Sequence, residues 1–334
     1  MRAWPLALVI LVLTGPAFGQ NHDHMDHSGH AGMVMPAPAK PPPARPGQPR
    51  TPPLYTGDDL AFLQHMIMHH QQAVDMNALM EGRAEHPELI RFAGLVADAQ
   101  RAEIQSMQGL LDQASARGLE APEHHMHGDP PMAGMLSEDE MKALAAARGS
   151  EFERLWLEGM IFHHDGGLAM ARAQELRQAQ DGRQPFLLAP MIDDILVTQR
   201  AEIGIMRGWL TAWGLAQTGD RRPPAVEVAS PPVDTDLKAG ARVTLLGVAV
   251  DDTGVASVEA SVHDMARDLW LHADGAWGDR QRIPAELIGS GPASAAWRLG
   301  LIPARPGRYV VSVEAVDIAG KRTAAPDAWT GEAR

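Results

Sequence analysis

The pentapeptide Gln-Arg-Ala-Glu-Ile occurs twice, at Gln100–Ile104 and again at Gln199–Ile203, and each copy is followed at the same offset by a methionine, Met107 and Met206. A second matched segment stands upstream of each copy. Met66, His69, His70 and Met76 recur as Met160, His163, His164 and Met170. A chain that repeats two motifs in the same order carries a duplicated structural unit, and this limits the fold more than any single motif does. Within the first unit, Phe62, Leu63, Met66, His70, Ala73 and Asn77 recur at helical spacing, as do Leu89, Phe92, Val96, Gln100, Glu103, Met107 and Leu110. Each unit is thus a helical hairpin with one amphipathic face. Two such faces bury best against each other, which predicts an all-α four-helix bundle with a pseudo-twofold axis over residues 55–217.

Local signals place the helices. The first is expected over residues 58–81, capped by Thr56 or Asp58, and the second opens at His86-Pro87 and runs to about residue 116. Ser137-Glu138-Asp139-Glu140 is a capping-box pattern that starts a short helix. Gly149 separates it from a long helix over 151–178, and a last helix runs from Phe186 or Pro190 to Trp213.

Beyond residue 217 the period changes from helical to alternating. Residues 218–230 are expected to be a linker and residues 231–334 an all-β sandwich. Alternating runs at 242–250, 255–262 and 309–316 are separated by the turn signals Asp251–Gly254, Asp274-Gly275 and Ala319-Gly320.

At the other end, residues 1–19 have the form of a secretory signal: Arg2, an apolar run over Leu6–Leu13, and Ala17-Phe18-Gly19 as the cleavage site. The apolar run is too short for a bilayer span, and no later stretch is long and apolar enough for a transmembrane segment. The expected location is periplasmic or secreted. Residues 20–54 combine a His/Met-rich tail, with His22, His24, His27 and His30 beside Met25, Met33 and Met35, and a Pro-rich spacer. A second His/Met-rich stretch, residues 119–136, contains His124, His125 and His127.

Composition narrows the chemistry. The 334 residues contain no cysteine, which excludes disulfides, thiolate metal sites and a Cys nucleophile. The net charge of −13, without a basic stripe, argues against nucleic acid as a partner. Metal binding is left to His, Met and carboxylates. Met66 and His70 share a helix face, as do Glu103 and Met107, and their counterparts are Met160, His164, Glu202 and Met206. Thioether with imidazole selects a soft ion, Cu(I) above all, with Ag(I) behaving similarly. His69 and His163 point about 100° away from their neighbours, toward the bundle surface or toward a carboxylate. Taken singly, the methionines are ordinary core filler and Glu103 and Glu202 can pair with Arg101, Arg200 or His. The doubled His pair is what favours a metal.

The paired segments, Met-x-x-His-His-x-x-Ala/Gly-x-x-Met followed by Gln-Arg-Ala-Glu-Ile-x-x-Met, resemble the exported bacterial family catalogued as domain of unknown function three-zero-five, which includes CopM-like copper-binding proteins. The resemblance implies a ferritin-like bundle. For its copper-binding branch it also implies Cu(I) or Ag(I) held by Met and His, here Met66, His69, His70, Met76, Met107, Met160, His163, His164, Met170 and Met206. The second copy departs at Gly159, Phe162 and Ala169, where the first has His65, Met68 and Asp75. The C-terminal part resembles bacterial immunoglobulin-like domains, through Leu269-Trp270-Leu271, Trp277-Gly278 and Pro306–Tyr309. Its two histidines, His263 and His272, are expected to be structural.

The function expected from these residues is sequestration or transfer of copper, without catalytic turnover, with a copper-exporting or copper-receiving envelope protein as partner. An alternative is an envelope interaction module whose bundle is structural. A third, a ferritin-like metal oxidase, is disfavoured because the chain has no Glu-x-x-His pair.

Overall fold

A computed structural model describes residues 55–121, 132–180, 188–217, 219–288 and 293–334. Among these residues there are five helices followed by eleven strands in two sheets. The tail histidines His22, His24, His27 and His30, the loop histidines His124, His125 and His127, and the expected signal all lie outside the described residues.

The helices are α1 (Gly57–Ala78), α2 (Pro87–Ser115), α3 (Glu138–Ala146), α4 (Gly149–Gln180) and α5 (Ala189–Ala212). α1 begins at a capping box in which Thr56 N donates to Asp59 Oδ2 at 2.8 Å and Asp59 N donates to Thr56 Oγ1 at 3.3 Å. α3 repeats the device with Ser137 and Glu140. α2 is capped from outside its own sequence. Its N-cap, His86, makes no side-chain cap, and buried Glu153 of α4 accepts from the backbone N–H of Glu85 and of His86, at 2.8 and 2.7 Å. That carboxylate sits where the first-turn N–H groups need an acceptor.

α4 opens at Gly149, whose φ of +57° suits a glycine, and it is the central element. It packs against α1 and α5 on one side and against the strands at Val243–Val250 and Ser294–Leu301 on the other. Apolar residues therefore line most of its circumference, among them Phe152, Trp156, Leu157, Ile161, Phe162 and Ala171.

The strands are β1 (Ala225–Ser230), β2 (Thr235–Leu237), β3 (Val243–Val250), β4 (Val255–Asp264), β5 (Leu269–Leu271), β6 (Trp277–Gly278), β7 (Ile283–Pro284), β8 (Glu286–Ile288), β9 (Ser294–Leu301), β10 (Gly307–Asp317) and β11 (Arg322–Ala333). One sheet has the antiparallel order β1-β3-β9-β8. The other runs β2-β11-β10-β4-β5-β6, with β7 also on β4 and β2 parallel to β11. Leu245, Trp297 and Leu299 of the first sheet share a core with Val262, Val311 and Trp329 of the second. The opposite face of the first sheet is not left to solvent: Val248, Val250 and Ala296 join the helical core.

This corrects the expected linker at residues 218–230. Ala225–Ser230 is a paired strand, in register with β3 from Ala225↔Val250 to Ser230↔Leu246. The Pro223-Pro224 pair just before it masks the alternation of Val226 and Val228. Ser230 Oγ donates to Asp58 Oδ2 at 2.9 Å, and Asp58 also pairs with Arg177, so β1 is tied to the start of α1.

Candidate metal centre

His69 and His70 of α1 and His163 and His164 of α4 are all fully buried. This corrects the expectation that His69 and His163 turn toward the surface or toward a carboxylate. They turn toward each other, with ring centroids 3.8 Å apart and the planes 32° from parallel. The 100° step along each helix does separate neighbouring rings, but α1 and α4 are adjacent, so the direction that leaves one helix enters the interface with the other. His70 and His164 flank this pair at 6.3 and 6.1 Å from their neighbours.

Those outer histidines bind the carboxylates. His70 Nε2 lies 2.7 Å from Glu103 Oε2, and His164 Nε2 lies 2.8 Å from Glu202 Oε2. The two copies of the repeat thus make the same contact from α1 to α2 and from α4 to α5. A carboxylate at Nε2 holds the proton there and leaves Nδ1 with its lone pair free. His163 is held similarly: its Nε2 donates to the His69 carbonyl oxygen at 2.7 Å. Nδ1 of His70, His163 and His164, and both nitrogens of His69, are buried without a hydrogen-bond partner.

Burial, reinforced by neighbouring imidazoles, holds His69 and His163 well below the ordinary His pKa, so both are neutral at pH 7. Five unpartnered buried nitrogens are costly, at about 1–3 kcal/mol each. Neutral imidazoles with free lone pairs are the form that ligates a metal. Among the described residues, no three of these nitrogens close to within 4.8 Å of one another, so the cluster offers nitrogen donors singly or in pairs rather than as a cage.

The predicted methionines lie together in the hydrophobic core of the helical region. Met66, Met76, Met107, Met160 and Met206 are completely buried and Met170 nearly so. The Met76 methyl packs at Gly159, where the second copy lacks the side chain of His65. His65 is half-buried and lines a cavity of about 20 Å³ with Met170, Gln174 and Glu227.

Sequence reasoning missed the strap that covers the cluster. Met132–Leu136 crosses α4 so closely that a Cβ on Gly166 would lie 2.3 Å from the Ala133 oxygen, and one on Gly134 would lie 2.6 Å from Gly166 Cα. Gln72 fastens the strap at Leu136, donating to its oxygen at 2.9 Å and accepting from its N–H at 2.7 Å. At the other end Ala133 N donates to Glu227 Oε2 of β1 at 3.2 Å. Burial raises the Glu227 pKa to about 7, the Ala133 N–H opposing this. The Ala133 backbone also lies beside His69, where it opposes the lowering of that ring's pKa. Asp165, beside His164, is raised by burial to about 6 despite Arg207 at 3.2 Å. The pair Gly166-Gly167 was the available signal, since adjacent glycines inside a helix invite close backbone approach.

The two C-terminal histidines each have a partner within the sheets. His263 bonds Asp268 at 2.9 Å and stacks on Trp270, and His272 bonds the Asp279 carbonyl oxygen at 2.9 Å.

Residues 59–192 match the family described as Domain of unknown function (DUF305). Similar solved structures include a DUF305 protein from Streptomyces coelicolor, 28% identical, covering 50% of this chain and 98% of that chain with a TM-score of 0.41. A DUF305 fragment from Deinococcus radiodurans is 30% identical, covering 48% of this chain and 99% of that one with a TM-score of 0.40. CopM in the Cu(I)-bound form is 29% identical, covering 48% and 98% with a TM-score of 0.37, and CopM is also known in Cu(II)-bound and Ag-bound forms. No curated protein matches the chain. At this identity over nearly the whole length of the Deinococcus fragment, the chain belongs to the DUF305 family through its helical region.

Proposed function

We propose that this chain is an exported copper-binding protein that sequesters Cu(I) or passes it on, with Ag(I) taken by the same donors and without catalytic turnover. One observation carries the reading: four buried histidines at the α1–α4 interface leave five ring nitrogens unpartnered while carboxylates or a carbonyl hold three of the rings in place. A purely structural core would not retain that many orphaned donors and acceptors. The methionines of the same core supply the soft ligands that distinguish Cu(I) from zinc. Copper and silver are also the ions named for CopM.

In this reading Met66, Met76, Met107, Met160, Met170 and Met206 complete the coordination begun by His69, His70, His163 and His164. Glu103 and Glu202 orient rings rather than bind the ion. The tail and the loop histidines gather ions. The helical region is ferritin-like and the two-sheet region immunoglobulin-like. The leader sends the chain to the periplasm or beyond, where a copper-exporting or copper-receiving protein is the partner.

An anaerobic Cu(I) competition titration of the full chain, a chain lacking residues 20–54, and Met66→Ala/His70→Ala tests this. Tight binding that survives tail deletion and falls in the double variant is expected. A chain that binds no Cu(I) tightly in any form defeats the proposal.

A further inference from the structure

Three carboxylates meet where the helical region joins the sheets. Asp220 lies on the segment between α5 and β1, Asp251 follows β3, and Asp317 ends β10. Oxygen atoms of all three lie within 4.8 Å of one another. Asp251 is 0% and Asp317 2% exposed, and the Asp220 side chain is 9% exposed.

The two sheet aspartates use their oxygens alike. Asp251 Oδ1 accepts from Thr253 N at 2.8 Å, Thr253 Oγ1 at 2.7 Å and Gly254 N at 2.7 Å. Asp317 Oδ1 accepts from Lys321 N at 2.9 Å. These contacts fix each carboxylate, and they leave Oδ2 of both residues buried with no hydrogen-bond partner. Neither carboxylate oxygen of Asp220 has a hydrogen bond either. Lys321 Nζ approaches Asp220 Oδ2 at 3.1 Å and donates to the Asp220 carbonyl oxygen. One ammonium on a side chain 41% exposed stands against three carboxylates.

We propose that Asp220, Asp251 and Asp317 bind a calcium ion that locks the junction between the helical region and the sheets. The donors are all oxygen, which suits a hard cation, in contrast to the His/Met core. Oxygens on one calcium, at roughly 2.3–2.6 Å from the ion, can lie up to about 5 Å apart, whereas magnesium draws its ligands closer and keeps several waters. Unpartnered buried carboxylate oxygens gain from a dication what hydrogen bonding has not supplied. Because Asp220 sits on the connecting segment, the ion fastens that segment to the ends of β3 and β10. Lys321 then swings to solvent.

The full chain, freed of divalent ions by chelator, is titrated with Ca²⁺ and with Mg²⁺ by calorimetry, beside Asp317→Asn and Lys321→Ala. Trypsin cleavage after Arg221 is followed by mass spectrometry. We expect one calcium per chain with a Kd of about 0.1–1 mM, the range of extracellular calcium modules. At a calcium concentration ten times that Kd, cleavage at Arg221 slows about tenfold, because the rate follows the unbound fraction. Asp317→Asn abolishes both effects, and Lys321→Ala, which keeps every carboxylate, tightens binding. Calcium that neither binds nor protects the wild-type chain overturns the proposal. So does binding that persists in Asp317→Asn, or that Lys321→Ala weakens or leaves unchanged. None of these readouts depends on copper.

Discussion

His69 and His163 occupy equivalent positions in the two copies of the repeat, and their ring centroids lie 3.8 Å apart. The same position of each copy meets its counterpart across the interface of α1 and α4. The symmetry is incomplete. His163 donates to the His69 carbonyl oxygen, and His69 does not return the bond. The centre is therefore built of two matching outer His–Glu pairs around an inner His pair that is not matched.

The outer pairs predict how copper affinity responds to the carboxylates. Glu103→Gln and Glu202→Gln each keep a hydrogen-bonding side chain but remove the charge that fixes the ring proton at Nε2. Each is expected to weaken Cu(I) binding by about 10–100-fold, the usual effect of losing the group behind a ligating histidine. Competition titration measures it, and equal losses in the two variants would show that the copies contribute alike. Unchanged affinity in both would mean the outer histidines are not ligands.

Metal-free protein should lose stability in acid through the inner pair. His69 and His163 are neutral when folded because burial lowers their pKa, while in the unfolded chain they take up protons below about pH 6.5. The unfolded state then binds more protons, so stability falls as pH drops through that value. Urea unfolding at pH 7.5 and 5.5 compares wild type with His69→Leu/His163→Leu, because the buried carboxyls of Glu227 and Asp165 act in the opposite sense over that range. The variant should gain on wild type at pH 5.5 relative to pH 7.5, and a stability difference between the two proteins that is the same at both pH values contradicts the assignment.

Glu227 has the opposite sign. Its folded pKa of about 7 is above the unfolded carboxylate value of 4.5, so its contribution is full below pH 4.5 and is lost as pH rises through 7. Glu227→Gln keeps an acceptor for Ala133 N and carries no charge. It should gain stability relative to wild type at pH 8 and little at pH 5. Denaturant midpoints at the two pH values give the answer, and a variant less stable at both would show that the carboxylate is needed for another reason.

The strap crossing predicts a contrast between two helical glycines. Gly166→Ala places a methyl 2.3 Å from the Ala133 oxygen and is expected to cost at least about 1–3 kcal/mol, because backbone must move. Gly204→Ala on α5 meets nothing within 4 Å and should stabilise by about 0.5–1 kcal/mol. Urea midpoints decide it. Similar effects at both sites would place the strap elsewhere.

What was legible in the sequence follows from where the information is local. Capping residues Thr56 and Ser137, Pro87 at a first turn and the repeated stripe each report on a few neighbouring positions, and the helices appear within a few residues of their expected ends. The turn at Asp251–Gly254 and the glycines Gly275 and Gly320 likewise bound strands, with φ of +86° and +91° at the last two. The direction of His69 and His163 was not legible, because it depends on which helix lies beside α1. Nor was the role of Glu153 as a cap for α2, or of Glu227 and Asp220, each of which acts on a segment distant in sequence. β9 was missed because alanine and glycine dilute its alternation, although Trp297 and Leu299 point into the sheet core.

The strap is fastened at one end to α1 through Gln72 and at the other to β1 through Glu227, and between them it meets α4 backbone to backbone at Gly166. Cover over the imidazoles is thus shared between the helices and the sheets, so removing β1 unties one end and opens the histidines to solvent.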